Sequence, residues 1–563
     1  MKNFKVTLFF IFFLFNSTIS YKCGVDSIKK KFHKINDTRI DNKRGLANNY
    51  TPIKFVIDYT YLISQNILSS TQLNKIKTIF NEVTQYLSSL LSISHINLIM
   101  DKKYIPEYCE ISKYSTDIEN LFYNNDIIIF PMINENMDED VLAQAWTCIV
   151  TPDNRPAAGV VEINQEFSLS KLDSNYLKSF YIKYILLHEL SHVLGFSSSF
   201  FKMFNYIYTE NKNGVKKSFL NSPKVVKRAK LHFNCNNIKG VQLENQGGEG
   251  SAGSHWESRY MLGDYMISTD YTELVISDIT LAFFEDTGFY KVNYYTGGLF
   301  RFGKNKGCTF LEEDCVKNNG KETSFTNDFC TEAETFFCGS SHLNRGDCYI
   351  IEYDEKIESQ YKHFSNEYLG GFSVADYCPV SYNYYDEELE SNYNYPYNCN
   401  FGAQIYKELG EIIGENSLCF ESSLILESYN KNPDDIYSVC YKVECDRNKK
   451  QIILNILGLT VICPGTETVL NKPNGFNGQI KCPDYNLVCT SKTLCNELFD
   501  CIDKKSEADL DTYNNKEITL IEDEKEEESN KNSNNNNNNN NKYTYLSLNG
   551  FFIALENIIL LLL

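Results

Sequence analysis

A basic face is the first thing this 563-residue sequence lacks. Its 73 Asp and Glu outnumber 54 Lys and Arg, for a net charge of −19. Nucleic acid and anionic membrane surfaces both need positive partners, so neither is expected. Histidine is scarce, eight in all, which gives weight to any place where it clusters. No glycine-rich phosphate loop is present, and no Ser/His/Asp arrangement competes for a catalytic reading. Cysteine runs the other way. There are 19, too many for exposed cytosolic thiols and suited to an oxidising compartment. Cys23 stands alone, and the other 18, from Cys109 to Cys501, can pair fully.

The two ends carry addresses. Lys2 and Lys5 precede the apolar stretch Val6 to Phe15, with Ser17, Thr18 and Ser20 behind it. This is the pattern of a signal peptide over 1–20, with an uncleaved anchor as the alternative. Residues 506–542 are acidic, then Asn-rich, and read as a solvated linker. Residues 543–563 end in two short apolar runs broken by Glu556 and Asn557. Three readings stand for this tail: a signal for a glycosylphosphatidylinositol lipid anchor, a plain tail, or a spanning helix. Asn36-Asp-Thr and Asn49-Tyr-Thr are glycan acceptor triplets, a weak signal that fits the secretory pathway.

Between the ends, residues 21–48 are basic and polar and read as a short pro-segment. Periodicity then predicts a strand over Ile53–Ile57, an amphipathic helix over Ser70–Leu91, and strands at Ile127–Pro131 and Ala157–Ile163. A longer helix should start near Asp173 or Ser174 and run to Leu194. Tyr176, Phe180, Tyr184, Leu187, Leu190 and Leu194 make its core face, and Gly195 ends it. From Cys308 the texture is Cys-rich with short strands, and Ala403–Ile413 is the one stretch there with a helical look.

The long helix contains His188-Glu189-Leu190-Ser191-His192. Residues four apart share a helix face, so both imidazoles can meet one metal ion. Glu189 lies about 100° round the helix, off the ligand face but placed to take a proton from a water on the metal. With His so rare, the chance expectation for this motif is on the order of 0.01. A catalytic zinc site needs three protein ligands and an open position. Gly195 permits a left-handed turn out of the helix. Of the remaining histidines, His255 stands out, in the turn-forming string Gly253-Ser254-His255-Trp256, 63 residues beyond His192. Met266 follows 11 residues later in a polar, turn-rich stretch.

The string His188-Glu-Leu-Ser-His-Val-Leu-Gly195-Phe resembles the metzincin zinc peptidases. The long insertion before His255 resembles the leishmanolysin group among them. So do Trp146-Thr-Cys to Asn164, Ala229 to Cys235, Gly248 to Arg259 and Ile279 to Tyr290, and the likeness covers about residues 20–500. It implies that His188, His192 and His255 bind one Zn2+ per chain, that Glu189 is catalytic, and that Met266 forms the turn beneath the metal. It implies that Cys23 is a latency thiol on the open zinc position; the residues alone leave it equally a free or intermolecular thiol. Cys109 and Cys148 bracket an N-terminal segment and form the one disulfide expected here.

The expected fold is α+β: a metzincin-type core of mixed sheet and active-site helix, with a Cys-rich, mainly β C-terminal domain. Its parts would be a catalytic subdomain over 49–195, a central subdomain over 196–300 carrying the insertion, His255 and Met266, and the Cys-rich domain over 301–505. The expected activity is hydrolysis of protein or peptide bonds at the cell surface or outside the cell, by a zinc metalloendopeptidase. Membrane attachment would come from the C-terminal lipid anchor. An adhesive role, alone or beside proteolysis, and a closed structural zinc site are the competing readings. Oligomeric state and natural substrate are not readable.

Overall fold

The computed structural model describes residues 33–34, 50–95, 109, 118–138, 141–165, 176–212, 214–248, 251–269, 271, 274–294, 300–333, 336–382, 398–400, 407–429, 436–446, 448–471 and 473–489. All of them fall within the unit Met1–Lys504. Cys23, the start of the long helix and the C-terminal linker and tail lie outside them. Among the described residues no helix is long and apolar enough to cross a membrane.

A five-stranded sheet forms the floor beneath the His-Glu-x-x-His helix. Its strands are β1 (His33–Lys34), β2 (Phe55–Ile57), β3 (Ile127–Asn134), β4 (Ala143–Val150) and β5 (Pro156–Asn164), in the order β1-β4-β5-β3-β2. Only β4 and β5 pair antiparallel; β1 pairs parallel with β4 at Ile149 and Val150. β3 and β5 are almost continuously apolar because both faces of the sheet are covered. Ile127, Ile129, Ile133, Ala145, Val161 and Ile163 point to the main core. Alternate residues, among them Ile128, Phe130, Trp146, Cys148 and Val160, point to a smaller one on the other side.

The main core takes two long helices. Helix α1 (Ser70–Leu90) opens with a capping box: Gln72 N–H donates to the Ser69 hydroxyl and Ser69 N–H to the Gln72 side chain. Its buried Ile76, Phe80, Val83, Leu87 and Leu90 recur at helical spacing. Helix α2 (Tyr176–Val193) lies against β4 and β5. The Thr147 hydroxyl donates to the Val193 carbonyl at 2.7 Å. Gly159 of β5 has no room for a Cβ, which would collide with the Val193 side chain and the Trp146 carbonyl. This close approach sets the height of the end of α2 above the sheet.

After α2 the chain makes a three-stranded sheet of Ile207–Lys212, Val215–Leu220 and Val241–Leu243. Helices α3 (Pro223–Phe233) and α4 (Asp278–Asp286) follow. The core around them continues to Val380. A second core, Leu409 to Cys489, lies under a six-stranded antiparallel sheet. The fold is α+β and rich in sheet, with disulfides concentrated toward the C-terminus. Of the eight described bridges, Cys109–Cys148 and Cys235–Cys308 come first and the other six lie beyond. The Cys109–Cys148 pairing matches the sequence expectation.

One expectation needs correcting. The described part of Ala403–Ile413 holds a single 3-10 turn, Lys407–Leu409, and no α-helix. Gly410 follows at φ +76°, a left-handed conformation that stops any helix there. Similarly, the strand expected over Ile53–Ile57 begins later, at Phe55.

Candidate metal centre

His188 and His192 sit in the last two turns of α2 on one face. The helix then ends as a glycine permits. Gly195 has φ +116°, its N–H donates to the His192 carbonyl at 3.1 Å, and Phe196 N–H donates to Ser191 O at 3.0 Å. That turn folds the Phe196 carbonyl back beneath the helix, where it accepts from His192 Nδ1 at 2.6 Å. Gly195 was expected to let the chain leave the helix; its turn also brings the Phe196 carbonyl under a site imidazole.

The third histidine arrives from the far end of the insertion. Glu244 N–H donates to the His255 carbonyl and Gly253 N–H to the Glu244 carbonyl, each at 2.9 Å. Trp256 N–H donates to Met266 O at 2.9 Å. These bonds hold the segment between Leu243 and Met266, and the Ser254 hydroxyl accepts from Ser198 N–H at 3.0 Å, tying it to the exit of α2. His255 is fully buried, and its Nδ1 meets Ser251 O at 2.8 Å.

The structure brings all three imidazoles together. Their Nε2 atoms are separated by 2.9 Å (His188–His192), 3.2 Å (His188–His255) and 3.2 Å (His192–His255). The protonation pattern decides what this triangle means. Each Nδ1 faces a backbone carbonyl, Tyr265 for His188 at 2.7 Å, Phe196 for His192 and Ser251 for His255. A carbonyl only accepts, so each Nδ1 carries the proton and each neutral ring turns a bare Nε2 lone pair inward. Three lone pairs cannot hydrogen-bond one another, and at this distance they repel unless a cation lies among them. Zinc–nitrogen bonds of 2.0–2.1 Å at tetrahedral angles set the nitrogens about 3.3 Å apart, so the triangle fits that ion. Electrostatics agree on the neutral form. Burial, then the neighbouring His255, push His188 down to about 3, and burial pushes His255 down to about 4. His192 is driven well down by burial and by both neighbours.

Glu189 is buried at 2% exposure, next to His188 on α2. Met266 is fully buried, in a turn entered through Gly263 at φ +92°. No fourth His, Cys, Asp or Glu joins the histidine group among the described residues.

The sequence profile of the Peptidase_M8 family, leishmanolysin, matches residues 102–495. The chain belongs to the leishmanolysin family. It is similar to leishmanolysin of Leishmania tropica, 30% identical over 388 residues, covering 65% of this chain and 55% of that protein. It is 26% identical over 447 residues to the leishmanolysin homolog of Crithidia fasciculata, covering 77% and 66%. It is 28% identical over 300 residues to the leishmanolysin-like peptidase of Drosophila melanogaster, covering 48% and 43%. The match thus spans between about half and two thirds of the length of the two leishmanolysin relatives, and all three histidines fall inside the family match.

Sequence reasoning missed the acceptors that orient the rings. Tyr265, Phe196 and Ser251 act through backbone carbonyls, which every residue carries, so side-chain identity gives no signal. It also missed Asp264, a fully buried carboxylate in the Met266 turn. Ser191, inside the motif, links the helix to that same turn: its hydroxyl donates to Leu187 O at 2.8 Å and accepts from the Tyr265 hydroxyl at 2.9 Å.

Proposed function

We propose that this leishmanolysin-family protein is a zinc-dependent endopeptidase. In this reading His188, His192 and His255 hold the metal, Glu189 is the general base, and Met266 forms the supporting turn of a metzincin-type site. The observation that carries the proposal is the triangle of Nε2 lone pairs, each ring locked in one tautomer by a carbonyl. Family membership supports the same chemistry. An open coordination position favours hydrolysis over a closed structural site.

Bound zinc supplies Lewis-acid polarisation of the scissile carbonyl and makes the attacking water more acidic. The remaining steps belong to the chain. Three neutral imidazoles add no charge, so the ion keeps its full positive charge toward the substrate. Glu189 takes the proton of the attacking water and returns it to the leaving amine. Its burial keeps bulk water from competing for that proton. The Tyr265, Phe196 and Ser251 carbonyls keep the rings from rotating as charge develops.

The test is cleavage of casein by the secreted protein with and without 1,10-phenanthroline. Cleavage should stop on chelation and return with added zinc. Glu189→Gln should cut turnover by about 10²–10⁴-fold with zinc still bound, whereas His255→Ala should lose the metal itself. Undiminished cleavage under chelation would sink the proposal.

A further inference from the structure

The three histidines reach the site from two separate segments, α2 and the end of the insertion, yet both segments are tied to one turn. Tyr265 grips α2 at two points. Its carbonyl accepts from His188 Nδ1 at 2.7 Å, and its hydroxyl donates to Ser191 Oγ at 2.9 Å. Trp256, the neighbour of His255, grips the same turn and the helix behind it. Its backbone N–H donates to Met266 O at 2.9 Å, and its indole N–H donates to Thr280 Oγ1 at 2.7 Å.

One carboxylate joins these grips. Asp264 Oδ1 accepts from Met266 N–H at 2.8 Å. Its Oδ2 accepts from the Thr280 hydroxyl at 2.7 Å and from Ser277 N–H at 3.2 Å. Asp264 is fully buried and sits at the N-terminus of α4, whose cap is Ser277. A negative charge is favoured there by the helix dipole. The direction of each bond matters. Because the Thr280 oxygen accepts from Trp256, its hydroxyl proton is free to go to Asp264. Both carboxylate oxygens must therefore accept, which an amide cannot do.

We propose that Asp264 is a positioning residue of the metal centre, holding the His188 and His255 segments in register through Tyr265 on one side and Thr280–Trp256 on the other. The inference rests on the zinc reading given above. Asp264 touches neither metal nor substrate; it acts by fixing where the Tyr265 carbonyl and the Trp256 backbone lie. Groups bonded directly to a metal ligand typically change metal affinity by about 10–100-fold; Asp264 acts through such a group, the Tyr265 carbonyl, so its effect should fall at the lower end.

The test uses the full secreted chain and two readouts besides activity: the zinc dissociation constant, by competition with a chelator of known affinity, and the visible absorption of the cobalt-substituted protein, which reports ligand geometry. Asp264→Asn turns an amide donor toward at least one donor and should weaken zinc binding about 10-fold, with a changed cobalt spectrum. Thr280→Val keeps side-chain shape, cuts the link between Asp264 and Trp256, and should shift both readouts in the same direction by less. A merely structural role would lower the unfolding temperature and leave both readouts of the folded protein unchanged. Wild-type zinc affinity within twofold and an unaltered cobalt spectrum in folded Asp264→Asn would overturn the proposal. Should that variant not fold, the same result in Thr280→Val overturns it. A wild-type chain that takes up no zinc fails the underlying reading, and this one with it, before any variant is compared.

Discussion

The two cores of this chain are held together by different means. Around α2 the work is done by long helices and aromatic packing. Phe196, directly after the helix-ending glycine, meets Phe201 at 5.0 Å, Trp256 at 5.2 Å and Phe283 at 5.3 Å between ring centres, all edge-on. Such pairs add about 0.5–1.5 kcal/mol each beyond the area they bury. Among the described residues the second core, Leu409 to Cys489, has no long helix and buries fewer residues. A small core gains too little apolar burial to offset chain entropy unaided, so crosslinks take a larger share. Cys338–Cys419, Cys399–Cys440, Cys445–Cys489 and Cys463–Cys482 all anchor that part of the chain. The comparison teaches where precision is needed. The candidate metal centre lies inside the larger, helix-packed core, and its three rings are held by directional hydrogen bonds. The disulfide-rich core secures a sheet that supplies no histidine to the site.

The largest effect should come from a buried ion pair at the second core. Arg345 and Glu411 are in direct contact, their side chains 1% and 0% exposed. Glu411→Ala leaves a buried guanidinium without its carboxylate, which costs about 3–5 kcal/mol. Hydrogen exchange should rise across Ser417–Ser422 and Tyr437–Asp446 while the amides of α2 stay protected and zinc binding is retained. Equal loss of protection in α2 would show that the cores unfold as one, and the contrast drawn above would fail.

Acid should do the converse to metal-stripped protein. The depressed His188 and His255 stay neutral in the folded state until about pH 3 and 4, whereas an unfolded histidine takes its proton near 6.5. The unfolded chain therefore binds more protons below 6.5. The stability these groups contribute is complete above that pH and is lost as pH falls toward their folded values. Between pH 6 and 5 the two should cost about 2–3 kcal/mol together. Saturating zinc should raise stability at both pH values and leave the slope unchanged, because the folded rings are already unprotonated there and only the unfolded chain takes up protons. Chemical denaturation at the two pH values, with and without zinc, checks it. A slope much smaller without zinc than with it would mean that the rings already take up protons in the folded, metal-free protein.

How much of this was legible in the sequence varies with the range of the interaction. The i, i+4 spacing of His188 and His192 is a property of one helical turn, and a helix is what hydrophobic periodicity reports best. α1 was readable for the same reason: an amphipathic helix was expected over Ser70–Leu91, and Ser70–Leu90 is helical. Bringing His255 to the group took scarcity of histidine and family likeness, since 63 residues of insertion hide the approach. The helix expected at 403–413, whose described part from 407 holds only a 3-10 turn, shows how a local pattern misleads when a glycine with left-handed backbone interrupts it. The sheet order, most disulfide partners and the Arg345–Glu411 contact lay beyond reach. Each joins residues far apart in the chain, and no local pattern encodes such a pairing.

The smallest effect, and the one that bears most closely on the site, concerns Gly195. A Cβ there would meet the Phe200 ring at 3.6 Å, an ordinary contact, so space is not the obstacle. Backbone conformation is: φ +116° lies where L side chains are strained by about 1–3 kcal/mol. Gly195→Ala should therefore lower stability modestly, and the strain would be relieved by rotating the very turn that presents the Phe196 carbonyl to His192. Zinc affinity should fall with it, though the mutated residue touches neither ion nor ring. Calorimetry gives the first quantity and chelator competition the second. If stability drops by the expected amount while zinc affinity holds, the carbonyl beneath His192 is not what keeps that ring in place, and the link between helix termination and metal binding is broken.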